Sequence, residues 1–102
     1  MLKQHTQEQI LEKAQLILKD LDGEYYKDSC INKISFNKEK EVSRPERKVI
    51  AAWTVSVKAI FDNLDFLTIS DETGEPLYYQ NFTTKILEIT KDENGKYYRV
   101  KK

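Results

Sequence analysis

Few side chains in this chain are equipped to do chemistry. His5 is the single histidine and Cys30 the single cysteine of 102 residues. Zinc and copper sites draw on several imidazoles or thiolates, so these two leave a transition metal with too few ligands. A Ser–His–Asp or Cys–His arrangement would have to use His5, which precedes the first helix in a stretch expected to fray. His5 is therefore read as structurally irrelevant. Cys30, between Ser29 and Ile31, has no basic neighbour nearer than Lys27 and Lys33 to stabilise a thiolate. It reads as a small half-buried hydrophobe.

The carboxylates are more numerous. Asp62, Asp65, Asp71, Glu72 and Glu75 form an acidic stretch without Lys or Arg. The stretch lacks the Asp-x-Asp-x-Asp-Gly loop and the distal Glu of a calcium hand. Asp62 and Asp71 would also stand roughly 30 Å apart, at opposite ends of one extended strand. Solvated turns explain these acids better than a metal does, and an acidic edge facing a basic partner is the next reading. Lys96, Arg99, Lys101 and Lys102 are the basic counterpart. They would bind the acidic turns internally or keep an edge strand from pairing. Gly23, Gly74 and Gly95 are isolated and cannot form a phosphate-cradling loop. No octamer of aromatics framed by Gly and Lys/Arg offers an RNA platform, and no carboxylate pair is singled out for glycosidic chemistry. These residues point to no catalytic set, no cofactor and no metal.

Aromatic pairs are the remaining feature: Tyr25-Tyr26, Tyr78-Tyr79 and Tyr97-Tyr98. Adjacent residues of a strand point to opposite faces. If the last two pairs lie in strands, each sends one ring into the core and one to the far side of the sheet. Exposed aromatics on such a side are raw material for an interface; otherwise they only support cross-strand pairs.

The elements that must position these groups are legible in the periodicity. Thr6 and Gln9 make a capping box. After it Ile10, Ala14, Ile17, Leu18 and Leu21 recur on one helical face, widened by Leu11, until Gly23 ends the run. Ile34, Phe36, Lys38, Lys40 and Val42 alternate with polar residues as a strand, and Ser43–Glu46, with Pro45, is a turn. Val49, Ala51, Trp53, Val55, Val57, Ala59 and Phe61 share one face of a longer strand, followed by a tight turn at Asp62-Asn63. Leu64–Ser70 returns antiparallel, and Asp71–Pro76 turns again around Gly74. Leu77–Thr90 fits helical spacing at Phe82, Ile86 and Ile89 with Asn81 as cap, while its Tyr-Tyr and Thr-Thr pairs favour strand; we read it as strand. Asp92–Gly95 is a hairpin turn before a last short strand, Lys96–Val100. One helix followed by four to five strands joined by short turns predicts a single α+β domain spanning 1–102, with the helix on one face of an antiparallel sheet. The helix stripe and the Trp53 face must meet.

Composition narrows the class further. With 17 Lys+Arg against 17 Asp+Glu, no net field steers nucleic acid or anionic lipid. No apolar run approaches the roughly 20 residues needed to span a bilayer. Mean hydropathy is −0.68, but the apolar residues are grouped, which argues against disorder. The opening residues lack the apolar core of a secretory signal, and a lone Cys suits a reducing compartment, so a cytoplasmic protein is expected if Met1 is the natural start.

Trp53-Thr-Val-Ser-Val57, then Phe66–Asp71, then Glu72-Thr73-Gly74-Glu75-Pro76-Leu77 resembles the core of PepSY-type domains. There a Trp-x-Val strand is followed by one ending in a (D/E)-x-T-G-E turn. The same grammar occurs in small bacterial immunity proteins with cystatin-like or nuclear-transport-factor-like folds. The resemblance covers residues 6–22 and 49–78. It implies Trp53 as core anchor, Gly74 as turn former, and a binding or inhibitory module with no catalytic residue. The charged stretch 37–48, the C-terminal hairpin and the missing leader depart from the PepSY pattern.

The expected function is a non-enzymatic module that binds another protein, with Tyr78, Tyr79, Tyr97, Tyr98, Asp71, Glu72 and Glu75 as candidate interface. The alternatives are a small-ligand or isomerase-like pocket between helix and sheet, and a structural homodimerising domain. A pocket would show a cavity of at least about 300 Å³ lined by Tyr and Asp or Glu. No nucleic acid or membrane insertion is expected.

Overall fold

The computed structural model describes residues 4–43 and 46–100, so Pro45, Lys101 and Lys102 lie outside the described residues. Thr6 caps the helix as its spacing demands. Its hydroxyl accepts from the Gln9 amide at 3.1 Å, and the Gln9 side chain accepts from the Thr6 amide at 2.8 Å. Helix α1 runs Gln7–Asp22 and stops at Gly23, whose φ of 57° suits a residue without Cβ. Ile10, Ala14, Ile17 and Leu18 of its stripe are all fully buried.

Two short 3₁₀ turns, Gly23–Tyr25 and Asp28–Cys30, lead into six strands. These are β1 (Ile31–Val42), β2 (Lys48–Lys58), β3 (Leu64–Ser70), β4 (Pro76–Gln80), β5 (Ile86–Lys91) and β6 (Tyr97–Arg99). They pair in chain order, each antiparallel to the next. The α+β class with one helix on an antiparallel sheet holds. The strand count is six because Leu77–Thr90 is two strands rather than one. Asn81 divides them: its side-chain oxygen accepts from the amides of Thr83 and Lys85, each at 3.0 Å. The residue read as a possible helix cap thus uses the same acceptor chemistry to fold a turn.

Register rows show which side chains share a face. Ile34, Val55, Leu67, Tyr79 and Leu87 lie opposite one another across five strands, and Phe36, Trp53, Ile69 and Pro76 form the next row. These rows meet α1, which also lies against both edge strands, β1 and β6. The helix stripe and the Trp53 face do enclose one core. Trp53 is 1% exposed and its ring packs against Phe36 at a centroid distance of 5.0 Å.

The β2–β3 connection departs from the expectation. Strand β2 ends at Lys58, and Phe61, read as a core-face residue of that strand, sits in the turn Ile60–Asp62 and is 88% exposed. Hydrophobic register explains the early turn. Pairing Lys58 with Leu64 sets Leu67 opposite Val55 and Ile69 opposite Trp53. A two-residue turn at Asp62-Asn63 would shift the return strand by an odd number of residues and turn Thr68 and Ser70 toward the helix instead. Val49, also placed on the core face, is 63% exposed where β2 pairs beyond a bulge in β1. No helix among the described residues is long and apolar enough to cross a membrane.

Candidate interaction surface

The reverse of the sheet carries two complementary rows. Ser35, Thr54, Thr68, Tyr78 and Glu88 form one; Lys33, Ser56, Phe66, Gln80 and Ile86 form the other. No second helix or sheet among the described residues lies across them. The middle of this side is nonetheless closed: Ser56, Thr68, Ser70 and Tyr78 are buried. Exposure gathers at Phe66 (37%) and Tyr98 (46%).

Both tyrosine pairs alternate across the sheet. Tyr79 and Tyr97 belong to the core beneath the helix, and Tyr78 and Tyr98 face the other way. Tyr78 is buried all the same, so of the four only Tyr98 offers a substantially open ring. Tyr79 donates its hydroxyl proton to Asp65 Oδ2 at 2.7 Å, and the Arg99 guanidinium sits 4.6 Å from its ring centroid. Burial first, then the bond to Asp65, pushes the Tyr79 hydroxyl well above the usual phenol range. It is held protonated, as a hydrogen-bond donor.

Asp71, expected in a solvated turn, is 1% exposed and anchors the N-terminal segment. Its carboxylate accepts from the Gln4 amide at 2.7 Å, the His5 amide at 3.1 Å and Trp53 Nε1 at 2.8 Å. Burial opposes its ionisation, but these donors outweigh burial and hold the carboxyl below its ordinary range. His5 is correspondingly not irrelevant. Its Nδ1 bonds the Asp71 carbonyl at 2.6 Å, which makes Nδ1 the protonated nitrogen there. A Cβ on Gly74 would lie 2.6 Å from His5 Nε2, and Gly74 also has φ of 72°. The glycine therefore serves both the turn and the seat of His5.

Glu75 is partly exposed and bound on three sides. Lys13 of α1 reaches Oε2 at 2.6 Å, Lys91 of β5 reaches Oε1 at 2.8 Å, and the Tyr97 hydroxyl donates to Oε1 at 2.9 Å. Against the cost of burial, these donors depress its pKa to about 2. Both ammonium groups also lie over the Tyr97 ring, at 5.1 and 5.3 Å. Glu72, in the same turn, is exposed. Arg99 does not serve the acidic turns; it pairs with Asp22 at 3.2 Å, while Asp20 accepts from the Tyr97 amide. Cys30 is half-buried against the core.

These clusters engage their polar atoms internally, and no buried side-chain polar atom among the described residues lacks a partner. An open groove of about 430 Å³ runs beside β6, lined by Asp20, Asp92, Tyr97, Tyr98 and Arg99. It exceeds the size set for a ligand pocket, but Asp20 and Arg99 are spent on the contacts above and Asp92 accepts from the amides of Asn94 and Lys96. No group of three or more His, Cys, Asp or Glu among the described residues is placed to hold a metal ion. The contacts of His5, Asp65, Lys13 and Lys91 join segments distant along the chain and carry no local signature in the sequence; Lys13 and Lys91 stood out by no motif at all. No protein-family model, no curated protein and no solved structure matches the chain.

Proposed function

We propose that this chain is a small non-enzymatic binding or inhibitory module, PepSY-like or immunity-protein-like in its cystatin-like grammar, which docks another protein through the reverse of its sheet. A cytoplasmic setting accords with the lone cysteine. One observation carries the proposal: the helix occupies one side of the sheet, and the other, with Phe66 and Tyr98 exposed, has no covering layer among the described residues. The engagement of Tyr79, Asp65, Asp71 and Glu75 in internal bonds supports a binding role over acid–base chemistry. Mixed aromatic and polar surface of this kind is typical of non-obligate interfaces.

Affinity capture from native lysate tests the proposal, using the full chain and a Tyr98→Arg variant as paired baits. One stoichiometric protein retained by the first and lost by the second is the expected result. Equal retention by both baits, or no partner at all, would contradict docking through this side.

A further inference from the structure

Three exposed aromatics, Phe61, Phe66 and Phe82, lie in or beside the β2–β3 and β4–β5 turns at one end of the sheet, and one of them is held there against the preference of its backbone. Phe61 has φ of 55° and ψ of 39°, and Asp62 follows with φ of 61°. Consecutive left-handed residues at a hairpin tip call for Asn or Gly, and a bulky aromatic there is strained. Packing does not compensate for the strain, because Phe61 is 88% exposed. The β2–β3 register fixes where this turn falls, but it does not call for phenylalanine at position 61, since Asn or Gly would hold the same backbone at lower cost.

The surroundings indicate what Phe61 meets. Phe66 lies in the row Lys33, Ser56, Phe66, Gln80, Ile86, close to that same turn. Phe82, 40% exposed, begins the neighbouring β4–β5 turn, and its amide donates to Asp65 Oδ1 at 2.9 Å. Lys33, in the same row as Phe66, Lys58, at the end of β2 before the tip, and Lys85, in the β4–β5 turn with Phe82, are exposed, and none enters an ion pair among the described residues. Asp65 is already bound by Tyr79 and the Phe82 amide, which leaves Asp62 as the exposed acid beside the tip.

We propose that Phe61 is the anchor of the docking surface, inserting into an apolar pocket of a partner protein whose rim is acidic and faces the three lysines. This rests on the protein-binding reading above. A rigid, preorganised aromatic in a pocket is the usual form of an interface hot spot. A lipid surface would demand apolar area rather than a fixed backbone, and would draw the Asp62 carboxylate into the headgroup layer.

The test pans a random 12-residue phage-displayed peptide library on the full chain, then measures affinities of the enriched peptides for the native chain and for Phe61→Asn. Asn tolerates the left-handed conformation, so the variant should melt higher by about 4 °C. It should also bind at least about tenfold more weakly, as loss of a hot spot does. Enriched peptides should combine apolar residues with Asp or Glu and weaken as salt rises. A purely structural Phe61 could not give higher stability with lower affinity. Affinities unchanged by Phe61→Asn but lost with Tyr98→Arg would overturn the anchor and leave the docking reading intact. A library that enriches nothing would overturn both. Phe61-dependent sedimentation with phosphatidylserine–phosphatidylcholine vesicles would overturn the protein pocket in favour of a membrane.

Discussion

The Asp71 side chain ties distant segments together, since one carboxylate joins the end of β3, the indole of β2 and the segment before α1. Removing it as Asp71→Ala leaves three donors without an acceptor and should cost at least about 2 kcal/mol; chemical denaturation checks this. Trp53→Ala should cost about 3–5 kcal/mol, the range for emptying a large buried aromatic site. An unchanged melting temperature would place Trp53 outside the core. Gly74→Ala meets both a positive φ and the His5 ring, so it should destabilise the chain and speed hydrogen exchange at the Gln4 and His5 amides. The meeting of the helix stripe with the Trp53 face could be read beforehand, but the wiring through Asp71 and His5 could not. Asp71 stands in a turn-forming sequence that looks solvated, and only the path of the N-terminal segment across that turn makes it a buried hub.

The helix, the β3–β4 turn, β5 and β6 are tied together at Glu75. Its pKa falls from an ordinary 4.5 to about 2, so its stabilising contribution is complete above about pH 4.5 and is lost as pH falls toward 2. Asp71, also depressed from its ordinary 3.8, loses its contribution in the acid range too. Glu75→Gln should therefore flatten the fall of stability between pH 4.5 and 2 relative to the native chain, an effect readable in melting curves across that range. Because Glu75 is partly exposed, added salt should shrink the difference. In the neighbouring hairpin, Asn81→Ala removes an acceptor serving two amides and should speed exchange at Ile86 and Leu87. Element type was legible wherever the pattern was local: the capping box, the helix stripe, and the turns at Gly74 and Gly95. Boundaries were not, where pairing decides them. Burial of Leu67 and Ile69 sets the β2–β3 register, and Phe61 is displaced from the strand as a consequence.

A helix against a six-stranded meander leaves one side of the sheet for another use, and that asymmetry could be inferred from a single amphipathic stripe followed only by strands. What could not be inferred is how the reverse side divides. Its centre is filled by short or buried residues, whereas exposed rings stand at Phe66, beside the tip that carries Phe61, and at Tyr98 toward the opposite end. Hydroxyl-radical footprinting of the free full chain, read by mass spectrometry residue by residue, tests this arrangement directly. Rapid oxidation is expected at Phe61, Phe66 and Tyr98, with strong protection at Trp53, Tyr78, Tyr79 and Tyr97. Protection of Phe66 and Tyr98 equal to that of Trp53 would mean that the surface is already occupied, and would contradict that arrangement.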